Sequence, residues 1–176
     1  MPHSEHKQGI RPTIIIDADA CPVTAEALAV ARKRGLPVLI AGNSTQNLAR
    51  HIRRGDPRKD TGGFWADTLA VGVGADSADF AIVERLQPGD IVVTQDIGLA
   101  AMVLGRSAHA IGVRGRVYTR ATIDMDMEIR HQEKKIRRQG GRTKGPAAFT
   151  DEDRERFAAN LDRLVEESVR CRGPRG

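Results

Sequence analysis

Aromatic side chains are scarce in this chain: one Trp, one Tyr and four Phe make up 3% of its 176 residues. A core without aromatic bulk has to be filled by Ala, Val, Ile and Leu, as in sheets covered by helices on both faces. Cysteine is scarcer still. Cys21 and Cys171 are too few and too far apart in the sequence for a disulfide framework, which favours a reducing compartment. No apolar run approaches the roughly 20 residues of a membrane span, and Met1 to Gly9 is polar with no secretion-signal core. A soluble, cytoplasmic, bacterial type of protein with no membrane partner is expected. The remaining composition, 40% hydrophobic and 29% charged, is that of an ordinary globule and predicts one compact domain plus an appendage.

Charge is distributed unevenly. Residues 1–110 carry 12 basic and 12 acidic side chains, whereas residues 111–176 carry 16 and 11, so the formal +5 arises in the last third. Within it, the run Arg130-His131-Gln132-Glu133-Lys134-Lys135-Ile136-Arg137-Arg138 and the loop holding Arg142 and Lys144 are candidate contacts to a polyanion. The duller reading of such a run is a solvated helix face.

What the chain does possess is a set of acidic residues at strand ends. Thr13-Ile14-Ile15-Ile16-Asp17-Ala18-Asp19-Ala20-Cys21-Pro22-Val23 reads as a buried parallel strand ending in two aspartates one residue apart. Ligands bind at that carboxyl edge in α/β folds. Pro22 suits the first helical position and Cys21 the cap before it. A second acidic pair, Asp76 and Asp79, opens a helix carrying Ala78, Ala81, Ile82 and Leu86 as its apolar stripe. Gly89-Asp90-Ile91-Val92-Val93-Thr94-Gln95-Asp96 repeats the first pattern, with a further helix behind it.

A coarse reading gives strands at 13–17, 36–41, 64–73, 90–94 and 109–113, and helices at 22–34, 45–54, 76–87, 97–106 and 122–138. Alternation of this kind predicts a three-layer α/β/α fold around a central parallel sheet. Thr150 and Asp153 form a capping box for a last helix, with Phe157, Leu161, Leu164 and Val165 as its buried stripe. The predicted organisation is a disordered start at 1–12, an α/β core at 13–118, a basic helical extension at 119–170 packed on that core, and a disordered tail at 171–176.

Asp17, Asp79 and Asp96 are expected to converge at the sheet edge, with Asp19 and Asp76 as direct or water-mediated support. Two carboxylates roughly 4 Å apart repel by about 4 kcal/mol at an effective dielectric near 20, a conflict that a shared divalent cation resolves. Oxygen-only ligands suit Mg²⁺ or Mn²⁺, which would activate water and neutralise charge at phosphorus. Asp17 and Asp96 are the expected principal ligands and Asp79 a ligand or water-orienting base. Taken singly, Asp19 or Asp76 could equally be a helix cap. Cys21 lacks the arginine of a phosphatase loop, since Ala27 and Leu28 occupy that spacing, and the five histidines have no ligand spacing.

Three functions compete on these residues: a metal-dependent nuclease or phosphodiesterase on RNA or DNA, a haloacid dehalogenase-like phosphatase, and a noncatalytic nucleic-acid-binding module. In the second, Asp17 would attack phosphorus and Asp19 would act as general acid. Against it, the later Asp-x-x-Asp lies on a helix and no convincing motif lysine stands between the clusters.

The ordered string Asp17 to Val23, Gly42-Asn43, Asp76-Ser77-Ala78-Asp79, Gly89 to Thr94, Asp96-Ile97, Gly115, Tyr118-Thr119, Ile123, Arg130, Gly145-Pro146, Asp153-Arg154 and Phe157 resembles the bacterial YaiI/YqxD family of uncharacterised proteins. Phe80, Gly98 and Lys144 depart from its pattern; Phe80, on the outer side of its helix, would suit a partner surface. A homodimer is a separate expectation. The family in turn resembles the PIN-like group, whose nucleases gather acidic residues around Mg²⁺ or Mn²⁺. That resemblance implies the fold and the metal-site geometry. Asn43, whose duller reading is a turn residue, and Thr94 are further candidate substrate contacts beside Arg130, Lys134, Lys135, Arg137, Arg138, Arg142 and Lys144.

Overall fold

The computed structural model describes residues 11–19, 21–42, 49–52, 63–71, 74 and 77–171. Five strands, β1 (Ile14–Asp17), β2 (Pro37–Gly42), β3 (Trp65–Ala70), β4 (Ile91–Val93) and β5 (His109–Ile111), form one sheet in the order β3-β2-β1-β4-β5. Every pairing between them is parallel, as runs buried on both faces require. The helices are α1 (Thr24–Arg34), α2 (Ser77–Arg85), α3 (Ile97–Gly105), α4 (Arg120–Arg138) and α5 (Asp151–Cys171), and Ala49–His51 makes one 3₁₀ turn.

β1 lies at the centre, with Ile14 beside both Val38 and Ile91. Its alternation splits the core in two. Ile14 and Ile16 join Val23, Ala27 and Ala31 of the α1 segment and Phe157, Leu161, Leu164 and Val165 of α5. Ile15 points the other way, into a cluster with Ile82 of α2, Leu99, Ala100 and Val103 of α3, and Ile123 of α4. The result is a three-layer α/β/α sandwich whose interior is mainly aliphatic, with Phe64 and Phe157 on one side of the sheet and Tyr118 on the other.

The basic extension is thereby part of the layering. The four predicted stripe residues of α5 are all buried against the sheet, and the capping box forms, with Thr150 N–H donating to Asp153 at 3.0 Å and Asp153 N–H to Thr150 Oγ1 at 3.2 Å. Arg34 fixes α5 to α1 through two 2.8 Å hydrogen bonds to Asp162, which hold that carboxyl below its ordinary range. At the other edge, the buried carboxylate of Asp90 receives the backbone N–H groups of Thr13 and Gln87 and so sets β1 and β4 side by side.

Several boundaries differ from the sequence reading. The first helix begins at Thr24, with Val23 at its N-cap and no side-chain cap, so Cys21 and Pro22 belong to the turn before it. Val23 is fully buried, and the chain needs that turn to bring it under the sheet. The helix closes at Gly35, whose φ of 64° is open to a residue without Cβ. Pro12 is buried and Arg11 donates to the Gly35 carbonyl at 3.0 Å, so both residues are tied to the core. The predicted helix 45–54 lies mostly outside the described residues, as do the predicted disordered segments apart from residues 11, 12 and 171.

Phe157 is the largest fully buried side chain and joins α5 to β1. Phe157→Ala should cost about 3–5 kcal/mol, read as a fall in the urea midpoint at unchanged slope. A loss under about 1 kcal/mol would mean that α5 does not seal the sheet.

Candidate active site

The strand-end acids owe their placement to the sheet's alternation. Ile16 faces α1 and α5, so Asp17, the next residue, falls on the side of α2 and α3. Val93 likewise faces α1, and Thr94 after it turns toward Asp17. Thr94 is buried, and its hydroxyl donates to Asp17 Oδ2 at 2.9 Å while accepting the Asp96 N–H at 3.0 Å. One hydroxyl thus couples the ends of β1 and β4. Asp19 adds its backbone N–H to Asp17 Oδ1 at 3.4 Å.

Asp96 caps α3. Its Oδ1 accepts the N–H groups of Gly98 at 2.8 Å and Leu99 at 3.3 Å, and the Arg130 guanidinium of α4 stands 3.4 Å from the same oxygen. Burial pushes the Asp17 carboxyl above the ordinary value of 3.8; the Thr94 hydroxyl and the Asp19 amide oppose that, and the charges of Asp19 and Asp96 reinforce it. Nearby, the phenol of Tyr118 is raised, chiefly by burial, amid the opposing charges of Arg116, Asp126, Arg130 and Asp96.

The structure therefore brings together Asp17, Thr94, Asp96 and Arg130, with Asp19 exposed at the rim. Asp79 lies half-buried in the first turn of α2. Asp76 and Asn43 fall outside the described residues. Among the described residues no group of three or more His, Cys, Asp or Glu is arranged to hold a metal ion. Among the described residues, the carboxylates brought together beside Thr94 at the edge are those of Asp17 and Asp96. That set fits a hard cation of the Mg²⁺ kind, which keeps most of its water and commonly takes one or two carboxylates besides substrate phosphates.

Of the basic residues, Arg130, Lys134 and Arg137 border a groove of about 560 Å³ together with Gln95, Ile97 and Arg116. Lys135 and Arg138 are exposed on α4, and Arg142 and Lys144 are exposed on the segment after it; Arg137 reaches that segment through Thr143 Oγ1 at 2.8 Å. Sequence reasoning missed Arg116, which donates to both oxygens of the buried Asp126 at 2.6 and 2.8 Å. The available signal was Asp126 itself, three residues after Ile123 and hence on the inward face of an otherwise polar helix.

Fold and edge together define a three-layer α/β/α protein with a carboxylate pair at the carboxyl end of its central strands. The chain belongs to the uncharacterised YaiI/YqxD family, whose model matches residues 15–167. It is 42% identical over 156 residues to a UPF0178 protein of Exiguobacterium sibiricum, covering 89% of this chain and 98% of the relative. A UPF0178 protein of Bacillus pumilus is 39% identical over 162 residues, 92% of this chain and 90% of the relative, and one of Clostridium acetobutylicum is 38% identical over 154 residues, 86% and 95%. No solved structure matches.

The raised Asp17 carboxyl has a sign that can be checked. Its proton binds more tightly in the folded state, so its contribution to stability is complete below 3.8 and is lost as pH rises through the folded value. In metal-free buffer, Asp17→Asn should gain stability relative to wild type between acid and neutral pH, measured as the difference in thermal midpoints. A difference independent of pH would show that Asp17 titrates normally.

Proposed function

We propose that the protein is a metal-dependent phosphodiesterase of the PIN-like kind acting on RNA, or on DNA. The observation that carries this reading is the abutment of opposite charges at the sheet edge: Arg130 stands 3.4 Å from Asp96, so the basic face of α4 begins where the carboxylates end. Asp17 and Asp96 would hold Mg²⁺ or Mn²⁺, and a bound ion of this class supplies an activated water and charge neutralisation at phosphorus. Thr94 keeps the Asp17 carboxylate aimed while its own lone pair holds the Asp96 backbone. Arg130, Lys134 and Arg137 receive the phosphates, Asp79 is a further ligand or the water-orienting base, and Asp19 and Asp76 are direct or water-mediated support for the ion.

An aspartyl-phosphate phosphatase would use Asp17 as nucleophile and Asp19 as general acid. Here it is the Asp19 amide that bonds to Asp17, and the Asp19 side chain is exposed, which favours the phosphodiesterase.

Asp96→Asn is the sharpest variant, because Asn caps helices as well as Asp and the fold should survive the loss of charge. With Mn²⁺, the wild type should cleave labelled RNA or DNA, and Asp96→Asn should lose on the order of 10²-fold or more, the scale for one electrostatic element of such a site. Hydrolysis of a phosphate monoester alone, dependent on Asp17, would select the phosphatase. Binding without turnover would select the noncatalytic module.

Metal should also raise the thermal midpoint of the wild type, since the ion relieves carboxylate repulsion only in the folded state. Asp17→Asn combined with Asp96→Asn should abolish that rise. An undiminished rise in the double variant would place the ion elsewhere.

A further inference from the structure

A second groove, absent from any reading of the acids, shares Arg116 with the first. It measures about 660 Å³, lies between the segment Arg114–Thr119 and α5, and is bordered by Arg156 and Arg163 of that helix. Arg116 lines this groove and the one along α4 alike.

The turn that carries Arg116 is firmly built. Gly112 N–H donates to the Arg116 carbonyl at 2.8 Å, and Ile111 pairs antiparallel with Val117, closing a tight turn. Gly115 sits in it at φ 89°, and a Cβ there would lie 2.9 Å from the backbone of Arg156 and Phe157, so the turn rests directly on α5. Asn160 donates to the Gly115 carbonyl at 2.7 Å. The Arg116 guanidinium is in turn fixed by Asp126 and lies 6.0 Å from the Tyr118 ring centre.

Seven cations border the two grooves against three lining carboxylates, Asp126, Glu133 and Glu167; from outside the lining Asp153 pairs with both Arg114 and Arg156, and Asp96 with Arg130, which leaves cations in excess, seven against five. Arg137 donates to Thr143 and Arg163 to Asn160; among the described residues neither of them, nor Lys134, ion-pairs with a carboxylate. Such an excess of positive charge along an open path suits an extended polyanion, whereas a small phosphate ester is better held in an enclosed pocket. Among the described residues no aromatic side chain lines either groove, and Tyr118 is buried. Base stacking is therefore unsupplied, and the ligand is held by its backbone, blind to sequence and sensitive to salt.

We propose that one nucleic-acid strand runs from the carboxylates along α4, over Arg116 and onto α5, where Arg156 and Arg163 form a second phosphate-binding segment. This rests on the nucleic-acid reading of the site. The test uses the full chain in chelator, so that nothing is cleaved, and labelled single-stranded RNA and DNA of about 20 nucleotides, longer than usual single-strand site sizes. Fluorescence anisotropy over a salt series compares Lys134→Gln/Arg137→Gln, Arg156→Gln/Arg163→Gln and the quadruple variant with wild type. Each pair should lower the log–log salt slope by about 1.4, from two contacts of about 0.7, and the quadruple variant by about 2.8. An unchanged slope in Arg156→Gln/Arg163→Gln beside a lowered one in Lys134→Gln/Arg137→Gln overturns the α5 segment and leaves the nucleic-acid reading standing. A quadruple variant no weaker than either pair overturns the single spanning strand. Absence of binding by the wild type overturns both readings.

Discussion

Complete burial of the apolar run of β1, with Ile14, Ile15 and Ile16 all at 0% exposure between β2 and β4, organises everything else in the molecule. A strand covered on both faces admits no polar residue along its length, so its first acid appears only where the helical layers end. β4 obeys the same rule with Ile91, Val92 and Val93, and Thr94 and Asp96 follow at the same edge. Two buried strands in parallel register therefore deliver their terminal polar residues to one place, and the hydrogen bonds through Thr94 record that meeting.

The chemistry of the edge follows from what burial does to charge. Asp17 is stabilised by one hydroxyl and one amide, too little to offset desolvation and the neighbouring negative charges, so it favours a proton or a cation. Asp96 is satisfied differently: two amides of α3 and the Arg130 guanidinium meet at one of its oxygens. Under the proposed function, an acid that favours positive charge beside an acid already bonded to an arginine would receive a ligand that brings a cation and a phosphate together.

The C-terminal third links this edge to the outer surface. α5 seals one face of the sheet through Phe157 and its neighbours, while α4 touches the opposite layer mainly through Ile123 and Asp126. Because α4 has so little of itself buried, most of its length is free to carry charge. The Gly112–Val117 turn sits between the two helices, and Arg116 projects from it to the grooves on both sides.

The amino-acid sequence by itself determined the class of the fold. Periodicity marked the five strands, the capping box marked the start of α5, and Phe157, Leu161, Leu164 and Val165 were legible as its inward stripe, because these are local patterns with local causes. That Asp17 and Asp96 end adjacent strands required strand order, which periodicity does not contain. The start of α1 was misplaced for a similar reason: Val23 is drawn into the core by tertiary packing, against the local preference of Pro22 for a first helical turn. Which of the many basic residues share a path, and that Arg116 borders two grooves while clamping Asp126, was decided only by tertiary structure, since the docking of α4 and α5 around one turn brings together cations that lie far apart along the chain.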